Sequence, residues 1–121
     1  MLYKDLVILV CDKDNGETSF MVALDKNTGE EAWRTARTVR ASWSTPLLVD
    51  AHGRAELITS GHQLVTSYDP RTGKELWRTE GLEANVATTV AGHGMAFVSA
   101  GWPHKITYAV KDPTLSIQTG V

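Results

Sequence analysis

The residues that could do chemistry are few, and most lie between hydrophobic runs. Asp12-Lys13-Asp14-Asn15-Gly16-Glu17 opens like a D-x-D-x-x-G loop, in which alternating carboxylates converge on a hard cation such as calcium. No bidentate glutamate follows at the usual spacing, so a solvated turn is the simpler reading and no metal is expected. His52, His62, His93 and His104 form no H-x-x-H or H-x-x-x-H pair of the kind that binds zinc. Trp43 and Trp102 carry flat rings that could stack on a ligand or pack on a neighbouring unit. Cys11 is the single cysteine, so no intrachain disulfide forms, and it reads as a small hydrophobe on a strand. The sequence contains no G-x-S-x-G, no phosphate-binding G-x-x-x-x-G-K-[ST] and no G-x-G-x-x-G. No residue is assigned a catalytic role.

Composition narrows the partners. With 42% hydrophobic and 21% charged residues, the 121-residue chain has the make-up of a folded domain. Twelve Lys+Arg against fourteen Asp+Glu give a net charge of −2. The basic residues are scattered, whereas a nucleic-acid partner needs a concentrated positive footprint. The apolar run Leu6 to Val10 is too short to span a bilayer, and the first residues lack the pattern of a signal peptide.

The elements that must position these residues come from a repeat. D-K-N-T-G-E-E-A-W-R-T (Asp25 to Thr35) returns 44 residues later as D-P-R-T-G-K-E-L-W-R-T (Asp69 to Thr79), with seven of eleven positions identical. A fixed period of this length signals repeat architecture, and one unit suits a four-stranded propeller blade. Strands are expected at 6–11, 18–25 and 30–35; at 45–50, 55–60, 63–69 and 74–79; and at 85–91, 95–100 and 106–111, joined by Gly-, Asn- and Asp-rich turns. The class is therefore all-β: four-stranded antiparallel blades, one complete (39–82) and two partial (1–38 and 83–121). A third copy of the motif fails near Pro113, where no T-G-x-x-x-W follows.

Within the motif each residue has a local task. Asp25 and Asp69 can accept hydrogen bonds from backbone N–H groups two or three residues on, Thr28 and Thr72 can add a hydroxyl to the same turn, and Gly29 and Gly73 supply positive φ. Trp33 and Trp77 then fall on the outer strand, where an indole buries about 150–250 Å² against the next unit. A-L-D-K-N-T-G-E-E-A-W and S-Y-D-P-R-T-G-K-E-L-W resemble the tryptophan-docking motif of pyrroloquinoline-quinone-type (PQQ-like) β-propeller repeats, and W-S-T-P-L-L-V-D with A-E-L-I-T-S-G is similar to repeat proteins related to the outer-membrane assembly lipoprotein BamB.

The resemblance implies a fold of seven or eight blades, so the chain is expected to be a fragment of a larger propeller, or a subunit that completes a ring by self-association. It implies a non-catalytic, BamB-like binding or scaffold module, outside the bacterial cytoplasm, with a protein partner and no cofactor. The alternative is part of a PQQ-dependent dehydrogenase, which would bring PQQ and calcium; against it, members of that group often carry a cysteine pair beside the cofactor, and this chain has one cysteine. Alternate connections of a meander emerge on opposite ends. Asp12, Asp14, Trp43, His62, Trp102 and His104 fall on the loops of one end, which is the candidate partner face.

Overall fold

A computed structural model describes residues 1–41, 45–51, 53–80, 89–100 and 106–111. Every regular element among them is a β-strand, and the strands form three antiparallel sheets. The first sheet runs β1 (Leu2–Tyr3), β2 (Leu6–Cys11), β3 (Ser19–Asp25) and β4 (Glu31–Arg37). The second runs β5 (Leu47–Ala51), β6 (Arg54–Gly61), β7 (Leu64–Tyr68) and β8 (Glu75–Glu80). The third contains β9 (Val90–Gly92), β10 (Met95–Ala100) and β11 (Ile106–Lys111). Each sheet is a meander with sequential strands side by side, as short turn-type connections require. The strand β1 is new relative to the sequence reading; two residues are too few to show alternation.

Alternation of side chains along the strands gives each sheet two faces, and the sheets stack through them. Ile8, Met21 and Ala23 of the first sheet pack with Leu57 and Tyr68 of the second. Ile58, Val65 and Trp77 on the other face of the second sheet pack with Ala96, Val98 and Val110 of the third. The core is thus divided between two seams. This is the propeller arrangement of blades, in which each unit buries its apolar faces only against its neighbours.

The repeated motif fixes the seam through a bulge. Ala23 pairs with Trp33 while the adjacent Leu24 pairs with Glu31, and Ser67 pairs with Trp77 while Tyr68 pairs with Glu75. One extra residue, Ala32 or Leu76, is therefore inserted just before each tryptophan. In a regular ladder the indole would project from the opposite face, because a one-residue shift exchanges the faces of a strand. The bulge turns it toward the next sheet. Its cross-strand partner is small in both copies, Ala23 or Ser67, which lets the ring lie down across the strand.

Candidate functional site

The turn that precedes each tryptophan is built by its own side chains. Asp25 Oδ1 accepts from the backbone N–H groups of Asn27 (2.8 Å) and Thr28 (3.0 Å), and Thr28 Oγ1 accepts from Glu30 N (3.2 Å). In the second copy Asp69 Oδ1 accepts from Arg71 N (2.9 Å), the Arg71 guanidinium closes on the same carboxylate, and Thr72 Oγ1 accepts from Lys74 N (3.3 Å). Gly29 and Gly73 close their turns at φ +76°, donating to Asp25 O and Asp69 O at 2.8 Å. The charged form of each carboxylate is favoured. Backbone N–H groups, Asn27 first, hold Asp25 below the usual carboxylate range, and the Arg71 side chain chiefly does the same for Asp69.

The two copies differ in what lies on them. Trp33 Nε1 donates to Pro70 O (3.1 Å) and Thr35 Oγ1 to Gly73 O (2.7 Å), both across the first seam. A Cβ on Gly73 would fall 2.8 Å from Trp33 Cδ2 and 2.5 Å from Thr35 Oγ1, so only glycine admits this contact. A Cβ on Gly29 would meet nothing within 4 Å. Trp77 is 7% exposed, and its Nε1 donates not across a seam but to Glu56 Oε2 of its own sheet (2.9 Å). Glu56, 1% exposed, also receives Ser67 Oγ (2.8 Å) and the Arg54 guanidinium, so its buried charge is matched by donors on both oxygens.

A second buried charge clamps the first seam. Arg37 donates to both Asp12 oxygens, Nε to Oδ1 at 2.7 Å and an Nη to Oδ2 at 2.9 Å. The other Nη reaches across to Thr59 Oγ1 (2.6 Å) and Tyr68 Oη (3.0 Å). The side chains of Arg37 and Asp12 are 1% and 5% exposed. Burial, the largest single influence, pulls the guanidinium pKa down, but Asp12 and Tyr68 together outweigh it, and the net shift is upward, so Arg37 stays charged. Asp12, a residue of the candidate partner face, has its carboxylate turned to Arg37 and its side chain 5% exposed, because a buried guanidinium needs a counter-ion.

Asp14 and His62 each bond to Arg40. Asp14 is exposed and its carbonyl accepts from Arg40 Nε (2.9 Å), while His62, half-buried, donates its backbone N–H to Arg40 O (3.3 Å). The segment 38–41 joins them, with buried Val39 against Gly61. Trp43, Trp102, His104 and the region of the failed third motif lie outside the described residues, as does His52. Among the described residues no three His, Cys, Asp or Glu side chains converge on a point that could hold a metal ion. At the opposite end of the sheets a groove of about 530 Å³ is lined by Tyr3, Lys4, Asp50, Gly53 and Arg71, among others. Arg37, Glu56 and this groove escape the sequence reading. Glu56 had one signal, a lone carboxylate in the run A-E-L-I-T-S-G; Arg37 had none, since its partners lie 22 to 31 residues away.

Stacked four-stranded meanders, joined by an indole on a T-G turn, define a propeller-type repeat module. Residues 17–115 match the family model described as outer membrane protein assembly factor BamB, and the chain belongs to that family. No curated protein matches the chain. No helix among the described residues is long and apolar enough to cross a membrane.

Proposed function

We propose that this chain is a non-catalytic β-propeller module that binds or scaffolds protein partners, works outside the cytoplasm, and needs neither PQQ nor calcium. The family description supports the setting. The observation that carries the reading is the fate of the buried charges: Asp12 and Arg37 are matched at the first seam, and Glu56 is matched within the second sheet. Catalytic ionisable groups are instead held open toward a substrate, with their charge state poised for proton transfer. The exposed turn ends of the sheets, with Asp14 and His62 at one end, are the surface left for a partner.

A titration of the chain with PQQ in the presence of calcium tests this. The expected result is no saturable change in absorbance and no dye reduction when alcohols or sugars are added. Calcium-dependent PQQ binding with dye reduction would overturn the proposal in favour of a quinoprotein dehydrogenase.

A further inference from the structure

The flank of the first sheet that faces away from the second is dressed for a partner. It presents Val7, Leu9, Cys11, Phe20 and Leu24, with Leu9 42% exposed. Its T-G turn is vacant: Lys26 and Gly29 are exposed where Pro70 and Gly73, their counterparts, are buried under Trp33 and Thr35. The second sheet is therefore an internal template for how such a flank is covered.

The template also says which residue must come with the indole. The 44-residue offset puts Leu24 at the place of Tyr68, and the pairings Val7↔Leu24 and Leu57↔Tyr68 then put Leu9 at the place of Thr59. On the second sheet the flank offers hydroxyls, Thr59 and Tyr68, and the strand that covers it carries Arg37, whose guanidinium takes both. On the first sheet the matching positions are Leu9 and Leu24. Neither can accept a hydrogen bond, so an arginine arriving there would be buried with its Nη groups unmatched, a costly state.

We propose that the outward flank of the first sheet docks the outer strand of another sheet of this repeat type, one bearing Trp-x-Thr and an uncharged residue two positions beyond the threonine. An arginine at that place excludes the strand. The indole N–H would meet Lys26 O, the threonine hydroxyl Gly29 O, and the uncharged residue Leu9 and Leu24. The inference rests on reading the sheets as blades and is independent of whether PQQ binds.

Three backbone-cyclised hairpin peptides test it, added to the isotope-labelled chain and followed by amide chemical shifts. The hairpin of residues 62–81 carries Trp77, Thr79 and Gly81; the hairpin of residues 18–37 carries Trp33, Thr35 and Arg37; the third is the latter with Arg37→Gly. The first and third are expected to give saturable shifts at Leu9, Leu24 and Gly29, with the Arg37 peptide about tenfold weaker or more. In the chain variant Leu9→Thr/Leu24→Tyr, which alters only exposed or half-buried side chains, the Arg37 peptide should gain and the preference should reverse. Equal affinity of the two 18–37 peptides overturns the proposal, as does the absence of shifts at this flank from the 62–81 hairpin.

Discussion

Replacing Gly73 by alanine separates what the turn needs from what the seam needs, because Gly29 provides the control in the same molecule. Both glycines sit at φ +76°, so alanine at either should cost about 1–2 kcal/mol for a left-handed conformation. At Gly29 nothing else is touched. At Gly73 the new methyl enters the space of Trp33 and Thr35, and the ring must shift or the sheets must part. Trp33 Nε1 is tied to Pro70 O and Thr35 Oγ1 to Gly73 O, so movement also stretches two hydrogen bonds. Overpacking of this kind adds about 1–3 kcal/mol, giving about 2–5 kcal/mol at Gly73 against about 1–2 at Gly29. Urea unfolding followed by tryptophan fluorescence reads the difference as a shift in midpoint at constant slope. The cycle with Trp33→Ala is sharper: without the indole, most of the extra cost of Gly73→Ala should disappear, leaving a value near that of Gly29→Ala. Equal destabilisation by the two glycine variants in the parent background would refute the seam contact.

The buried pair gives a second prediction: Asp12→Ala leaves the Arg37 charge without its counter-ion and should cost about 3–5 kcal/mol in urea unfolding, whereas Asp12→Leu/Arg37→Leu should cost less than the single variant. The turn carboxylates give a third. Asp25 and Asp69 are held below their ordinary pKa in the folded chain, so between that depressed value and the unfolded value of about 3.9 the unfolded state binds more protons. Their contribution is present in full above the ordinary carboxylate range and is lost as pH falls through the folded values. Asp25→Asn/Asp69→Asn should therefore flatten the acid limb of the urea midpoint against pH and leave its slope near neutrality unchanged.

What the sequence discloses here follows how local each interaction is. The strands at Met95–Ala100 and Ile106–Lys111 fall where alternation and glycine turns put them, because period two and turn chemistry are properties of neighbouring residues. Contacts such as Asp25 to Asn27 and Thr28 span only two or three residues, so residue types and spacing suffice to anticipate them. The short β1 has no such signature, and β5 begins at Leu47, after Pro46, instead of at Thr45, since proline supplies no N–H to a ladder. The seam is the opposite case. Asp12, Arg37, Thr59 and Tyr68 meet only after two sheets have stacked, and nothing in the text around Arg37 distinguishes it from Arg34, which pairs on the surface with Glu31.

That contrast between repeated and unrepeated residues bears on how an array of similar sheets keeps its order. The T-G turn, the bulge and the indole recur, so by themselves they would let any outer strand dock on any vacant turn. Repeat arrays are prone to misassembly for this reason. Discrimination has to come from positions where the units differ, and it is strongest where the wrong partner leaves a buried charge unmatched. Arg37 is such a position. Its guanidinium is satisfied by Asp12 within its own sheet and by two hydroxyls of the second sheet, Thr59 and Tyr68. The recurring motif thus supplies adhesion between sheets, while a single arginine and the hydroxyls opposite it decide which sheet follows which.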